Sequence, residues 1–485
     1  MSAKILGAQN DGLQFDFLLP NQLQVTLVSL YDFPSSGFSL TPHDARLMYS
    51  LLLPYVRHVA FLLFTCSVLP CFANDEALRE RLKDANGVQT DVWVYNDIPA
   101  ALAEARRTNK PLFVTFRCVP CRDCAAFDAD VANGSEKVKK FARDRFISVR
   151  QVEMKGVDLN QFQFDYDLNW AAMFLNADGT VYARYGTQSA EGSDAFNSID
   201  GLIATMERVL LMHDAWPANR DLLLQKRGNP KPAATALQLP GLRNPEKYAR
   251  ETTRSNCIHC HNIHDAEHLH ALQQGRWKPD LMWKYPLPDL IGLKIDRRSG
   301  ITISEVVAGS PAARAGLQSG EDILTMNGQA IASIADMQWA LHPLDGENAT
   351  VEIEGSRSGR KTVQLGSGWR KHDFSWRGSM WNAPPRLQIW LPELTTDQTT
   401  ALGLPAGDGA LEVRWINLEG PGGRQAKADG LQEKDIVIAA DGQPIRMNSK
   451  QFSAWLKLNY QVGQKLPLTI LRNGQRRELS LLLVE

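Results

Sequence analysis

A chain of 485 residues, 44% of them apolar, has material for several hydrophobic cores, about three or four domains' worth. Its 53 basic residues against 54 acidic ones leave a formal net charge of -1, which gives no reason to expect nucleic-acid binding through a basic surface, and no nucleic-acid partner is expected. The composition is that of a globular, multidomain protein.

Residues 48–73 read as processing rather than fold. Arg57 and His58 precede an apolar run from Val59 to Phe72, which ends at Ala73 before the acidic, helix-prone Asn74-Asp75-Glu76-Ala77. That order fits a secretory signal starting at Met48 and cleaved after Ala73, with residues 1–47 a mis-assigned upstream extension. The run is interrupted by Cys66, Ser67 and Pro70 and is short for a membrane span. An uncleaved signal anchor is the membrane alternative, and a buried helix is the third reading. Neither Cys66 nor Cys71 follows the small residue of a lipoprotein site. Export implies a periplasmic or otherwise extracytoplasmic compartment, where paired thiols oxidise readily. Cys118, Cys121, Cys124, Cys257 and Cys260 then remain, and an odd number leaves at least one outside a simple intramolecular disulfide.

Residues 98–110, rich in alanine and charge, predict a helix, and Pro111 to Phe116 predicts a central strand. Arg117-Cys118-Val119-Pro120-Cys121-Arg122-Asp123-Cys124 follows, then a segment that can be helical. A dithiol at a strand-to-helix junction is where a helix N-terminus favours the thiolate. Arg117 and Arg122 favour it too, while Asp123 opposes them. Downstream, Ala172-Met173-Phe174-Leu175-Asn176-Ala177-Asp178-Gly179-Thr180-Val181-Tyr182 predicts a hairpin turning at Asp178-Gly179.

With Lys110-Pro111, the strand and the dithiol, this pattern resembles the thioredoxin superfamily over about residues 90–212, within a domain placed at 74–212. The resemblance implies that Cys121 attacks a disulfide and Cys124 resolves the mixed disulfide, with Cys118 an additional thiol at the strand end. Two positions depart from the family. Thr115 stands where a buried acid helps to move a proton, and Trp170 stands where a cis-proline shapes the groove for extended substrate. A structural or sensing disulfide and metal- or haem-related thiol handling remain as alternatives.

Pro217, Pro230, Pro232, Pro240 and Pro245 mark a linker, placed with the following cysteine-histidine segment at 213–285. In Cys257-Ile258-His259-Cys260-His261, two cysteines two residues apart can form thioethers to a haem while His261 ligates the iron, the c-type attachment pattern. His264, His268, His270 and Met282 are candidate opposite ligands. Cys257, Cys260, His264 and His268 also have spacings compatible with tetrahedral zinc. A local disulfide, or two ordinary thiols with no cofactor, is the third reading.

Residues 286–366 show Leu290-Ile291-Gly292-Leu293, the alternating Ile301–Val306, the Pro-started, Gly-ended helix Ser310-Pro311-Ala312-Ala313-Arg314-Ala315-Gly316, and the strand and turn Glu321–Gly328. This resembles a bacterial PDZ domain. Residues 386–485 repeat the order with Leu411–Ile416, Gly423–Leu431, Lys434–Ala439, Asp441-Gly442 and two terminal strands, as a second copy. The family implies that an extended peptide adds a strand while loop amides receive its carboxylate. By position those loops are Leu290, Ile291, Gly292 and Leu293 in the first copy and Ala401, Leu402, Gly403 and Leu404 in the second. Neither copy carries a Ser-His-Asp arrangement. The intervening residues 367–385, dense in Trp, Arg and Lys, are expected to fasten domains together with Trp bodies buried and Arg heads exposed.

The whole order resembles a bacterial family of thioredoxin-like and tandem PDZ domain proteins, some members of which use selenocysteine. The reading is therefore α/β followed by mainly β: an exported redox-associated protein, a thiol-disulfide oxidoreductase recruiting a redox partner or protein C-terminus through PDZ modules. The alternative is a non-enzymatic c-haem electron-transfer or scaffold protein.

Overall fold

The computed structural model describes residues 73–86, 92–119 and 125–485, and the backbone of three short strands, Ala3–Ile5, Leu13–Leu18 and Gln24–Ser29. Those strands form an antiparallel sheet in sequence order, within a unit that ends at Phe72. The expected signal segment up to Phe72, and both Cys121 and Cys124, lie outside the described residues. Among the described residues no helix is long and apolar enough to cross a membrane. Residues Ala73–Glu485 form the second unit.

After α1 (Ala73–Leu82), the second unit opens with β1 (Trp93–Tyr95), α2 (Ile98–Thr108) and β2 (Leu112–Arg117). Asp97 caps α2 by accepting from the Ala100 amide, and Asn109 ends it in the left-handed region at φ 51°, which frees Pro111 to enter the strand. Next come α3 (Ala125–Ala129), α4 (Glu136–Asp144), β3 (Ile147–Gln151), β4 (Trp170–Leu175), β5 (Val181–Tyr185) and α5 (Ile199–Asp214). The sheet order is β1-β3-β2-β4-β5, with β1, β3 and β2 parallel and β4 and β5 antiparallel. All six residues of β2 are buried, as a central strand covered on both faces requires. On one face α4 and α5 cover Phe113 and Phe174, whose rings stack at 5.0 Å.

The other face corrects the expected linker. Ala233, Ala236, Leu239, Leu242, Ile258, Cys260, Ile263 and Ala266 share one apolar cluster with Val114, Phe116 and Met173. Residues 213–285, including α6 (Pro245–Tyr248) and α7 (His261–Gln273), are thus part of the α/β core rather than a tether. Scattered prolines reported irregular backbone, which packs as well as any other when its side chains are apolar.

The first β unit runs β6 (Leu293–Ile295), β7 (Ile303–Val306), α8 (Pro311–Ala315), β8 (Ile323–Met326), β9 (Gln329–Ala330), α9 (Ile334–Leu341), β10 (Ala349–Gly355) and β11 (Gly359–Leu365). A similar succession recurs as β12 (Ile389–Trp390), α10 (Thr396–Ala401), β13 (Leu411–Glu412), β14 (Trp415–Ile416), α11 (Pro421–Ala428), β15 (Ile436–Ala440), β16 (Gln443–Pro444), α12 (Ser449–Asn459), β17 (Lys465–Arg472) and β18 (Gln475–Leu482), with α10 and the short strand β13 added.

Residues 367–385 do clasp the units, but through a buried arginine head. Arg377, 1% exposed, donates to Asp165 at 2.7 and 2.9 Å and to Asp167 at 3.1 Å. Trp381, expected inside, is 66% exposed. Arg377→Met should lower stability by about 3–5 kcal/mol, because two carboxylates are left buried without their cation. Urea unfolding of the full chain at neutral pH checks this, and a loss below about 1 kcal/mol would class the clasp with surface ion pairs.

Candidate functional site

Buried charge ties β2 to α3. Arg117, at the end of β2, donates to Asp84 at 2.5 Å and to Asp128 at 2.7 Å, and Arg150 donates twice more to Asp128 at 3.1 and 3.0 Å. The Tyr95 hydroxyl donates to Asp84 at 3.0 Å. Arg117 ends β2 and Asp128 lies in α3, so their ion pair ties these two elements together. Arg117 is therefore matched by two carboxylates and supplies no surplus positive charge to a thiolate, contrary to the sequence expectation. Thr115 Oγ1 donates to the Val149 carbonyl at 3.1 Å, serving the sheet rather than proton transfer. Trp170 lies opposite Arg117 in the ladder and packs edge-on to Phe127 at 5.0 Å.

At this end of the sheet the second cysteine motif meets Cys118. Cys118 Sγ lies 3.2 Å from His259 Nδ1. The Ile258 amide donates to Glu153 Oε1 at 3.2 Å, and Cys257 Sγ lies 3.5 Å from the Val152 carbonyl, so the motif is pinned to the chain that continues β3. Cys257 and Cys260 are both buried thiols. Burial pushes the Cys257 thiol up, helped by Glu153 and then Cys118, and burial followed by Cys118 does the same to Cys260. Nothing in the sequence outside the motif itself pointed to His259 as the bridging residue.

A covalent haem requires both sulfurs and His261 to face one macrocycle. Cys260 instead lies in the apolar cluster with Ile258 and Ile263, and Cys257 faces a backbone carbonyl. The His261 ring is covered by Gly378, where an added Cβ would meet it at 3.0 Å. The cavities of about 290–500 Å³ are lined by other residues. These residues do not fit a haem in this packing. Met282, one of the four candidate opposite ligands, is core, packed with Trp283, Phe374, Met380 and Ala454.

The zinc set does not assemble either. His264 Nδ1 lies 3.0 Å from Asp167 Oδ2, away from the thiols, and His270 sits half-buried in the last turn of α7. Among the described residues the acidic-histidine group that converges is Asp165, Asp167 and His264, and Arg377 already donates to both of its carboxylates. His268 is 3% exposed, with Trp277 edge-on at 5.5 Å.

The two β units treat their candidate loops differently. In the first, Ile291, Gly292 and Leu293 are buried, and the Leu290 and Gly292 amides donate to the Leu287 and Asp289 carbonyls. Every residue of α9 is buried. Asp336 accepts from the Arg184 amide of β5 at 3.1 Å and from Lys226 Nζ at 2.7 Å, and the Arg184 guanidinium lies 3.5 Å from the Trp339 ring centroid. This helix is an interface with the α/β unit.

In the second unit the expected loop is misplaced. Ala401 ends α10, and Leu402, Gly403 and Leu404 form its C-terminal turn. The equivalent of Gly292 (φ 91°) is Gln388 (φ 55°), just before β12. Glutamine in the left-handed region hid the correspondence, because sequence reasoning looks for glycine there. Residues Arg386 to Leu391 line one wall of a cavity of about 360 Å³, and α12 supplies the other wall through Phe452, Leu456 and Lys457. The Leu387 and Gln388 amides have no hydrogen-bond partner among the described residues. Arg386, Lys450 and Lys457 line the cavity and no carboxylate does. Burial, then Arg386, lowers the Lys457 pKa to about 8. Trp390 and Trp415, both about half exposed, complete the groove.

Five histidines, His264 and His268 buried and His259, His342 and His372 partly so, set a pH dependence. Burial is the first cause holding His259 at about 4, His268 at about 3 and His372 at about 4, and it also lowers His264 and His342. All five are depressed below the ordinary 6.5, so the unfolded chain binds more protons between the two values. Stability should be full above about pH 6.5 and fall as pH drops from there toward about 4. Urea midpoints at pH 7.5 and 5.0 check this; equal midpoints would contradict it.

Residues 93–177 match the family model described as thioredoxin-like, and residues 284–342 match the PDZ domain. A probable periplasmic serine endoprotease, DegP-like, of Pseudomonas savastanoi pv. phaseolicola (strain 1448A / Race 6) is 30% identical over 198 residues, which is 39% of this chain and 39% of that protein. A protein of the same description from Pseudomonas putida (strain GB-1) shows the same identity and the same coverage of both chains. Among solved structures, the HtrA-type protease AlgW with decapeptide is 17% identical, covers 28% of this chain and 50% of its own, and has a TM-score of 0.18. The chain thus spans 39% of the length of these curated relatives. A PDZ domain supports protein or peptide binding. This chain carries a thioredoxin-like domain followed by a PDZ domain.

Proposed function

We propose that this chain is an extracytoplasmic thiol-disulfide exchange protein that captures partner polypeptides by their C-termini. The observation that carries the capture is the groove between β12 and α12: unpartnered loop amides, three cations and no carboxylate, beside an apolar wall. A terminal carboxylate would accept from the Leu387 and Gln388 amides and offset Lys457 and Arg386. An apolar terminal side chain would enter between Ile389, Phe452 and Leu456, and the peptide would extend β12 as an added strand. Residues 386–485 are read as a second PDZ domain on this geometry and on the repeated element order. The first PDZ domain has the architectural task, because its helix α9 is spent on the α/β unit.

The exchange chemistry is assigned to Cys121 as attacking thiol and Cys124 as resolving thiol, at the junction between β2 and α3. The relatives' periplasmic description supports the compartment, in which substrate disulfides form.

Two measurements test this reading. Fluorescence polarisation with peptides ending in a free carboxylate after an apolar residue should detect binding to the full chain that amidation of the terminus abolishes. Lys457→Met should weaken it by about 10- to 100-fold, the loss of one charge-assisted contact. Binding indifferent to the terminal carboxylate would remove the capture role. In a disulfide-reduction assay, Cys121→Ser should abolish turnover and Cys124→Ser should accumulate a mixed disulfide with substrate. Equal turnover by wild type and Cys121→Ser would reject the catalytic assignment.

A further inference from the structure

Exposed tryptophan is concentrated at one place in this chain. Trp381, Trp390 and Trp415 are 66%, 54% and 51% exposed, every other tryptophan is buried or partly so, and all three line the cavity beside α12. Indoles left in water around one cavity mark a surface that a ligand covers.

The strand register says which part of a peptide two of them meet. β12 pairs with β14 alone, Ile389 opposite Ile416 and Trp390 opposite Trp415. Side chains alternate along a strand, so the isoleucine pair faces the core, where Ile416 is buried, and the indole pair shares the outer face. The Gln388 and Trp390 carbonyls accept from the Asn417 and Arg414 amides on either side of β14. Alternation therefore turns the Ile389 N–H and C=O to the opposite edge of β12, the edge that a peptide strand would join. With its carboxylate on the Leu387 and Gln388 amides, the terminal residue of that peptide lies opposite Ile389 and sends its side chain into the cavity. The residue before it lies opposite Trp390, on the outer face with both indoles.

We propose that this groove selects C-termini whose penultimate residue is aromatic, its ring packing on the Trp390 and Trp415 indoles. The inference deepens, and rests on, the reading of the groove as a receptor for a terminal carboxylate. Charge decides between a ring and an ionised side chain at that position. The Arg414 guanidinium already lies 5.4 Å from the Trp390 ring centroid, and Arg386, Lys450 and Lys457 line the cavity. A further cation on the peptide is repelled by these four, whereas a neutral ring gains edge-to-face or offset contact with either indole. An acidic side chain gains little, because Glu412 already pairs with Arg414.

The test is fluorescence polarisation on the full chain with carboxylate-ending peptides that differ only in the penultimate residue, Trp, Tyr, Ala or Lys before a terminal Val. The Trp and Tyr peptides should bind about 2- to 10-fold more tightly than the Ala peptide, the worth of one aromatic pair. The Lys peptide should bind no more tightly than the Ala peptide. The preference for Trp over Ala should vanish in Trp390→Ala and shrink in Trp415→Ala. Should Trp390→Ala misfold, Trp390→Thr, which keeps a strand-favouring side chain without a ring, takes its place. Equal affinities for the Trp, Tyr and Ala peptides overturn the proposal, as does a preference for Lys or an aromatic preference that survives the loss of Trp390. Carboxylate-dependent binding without aromatic preference removes this selectivity and leaves the capture role standing. No carboxylate-dependent binding by any of the peptides removes both.

Discussion

The Asp167 carboxylate has no exposed surface, and three segments distant in sequence supply its environment. His264 of α7 lies 3.0 Å away, Arg377 donates at 3.1 Å, and Ser379 donates through its amide at 2.8 Å and its hydroxyl at 2.9 Å. Burial alone would raise the carboxyl, but His264, then Arg377 and Ser379, outweigh it and hold Asp167 well below the usual range. A buried carboxylate with these donors removed is too costly to keep. The thioredoxin-like domain, the cysteine-histidine helix and the chain between the β units therefore hold together, and α7 can hold the second cysteine motif at Cys118.

That arrangement divides labour between the two β units. In the first, Ser333 donates to the Arg184 carbonyl, Asp336 accepts from Arg184 and Lys226, and Gln338 accepts from Thr187 while donating to the Tyr285 carbonyl. These are buried polar contacts that fix one orientation, and they consume the helix that would wall a peptide groove. In the second unit only Phe452, Ala454, Leu456 and Lys457 of α12 are buried, and the helix faces an open cavity.

Both active regions depend on charge held out of water. Where β2 meets α3, Asp84, Asp128, Arg117 and Arg150 neutralise one another. In the cavity beside α12, Arg386 and Lys457 have no carboxylate among the lining residues, and burial, then Arg386, depresses Lys457. Self-compensation suits a scaffold. An uncompensated pair of cations suits a site that awaits an anion.

The sequence by itself determined the elements whose signals are local. The Pro-to-Phe strand before the cysteines, the Asp178-Gly179 hairpin, the Pro-started helix Pro311–Ala315 with its Gly316 end, and the two-fold order of the β units follow from periodicity and turn chemistry acting over a few residues. The cysteines and histidines were equally legible as chemistry-bearing residues. What they do together was not, because a CxxCH motif has the same spacing whether its sulfurs face a macrocycle or a core. Tertiary structure decided that Cys260 packs with Ile258 and Ile263, that His259 reaches Cys118, that Met282 is core, and that residues 213–285 are wall rather than tether. It also placed Ala401 at the end of a helix and gave Gln388 the left-handed conformation in which pattern reading expects glycine. Spacing along the chain constrains which ligands could converge; only packing, which sums burial over contacts remote in sequence, selects which of them do.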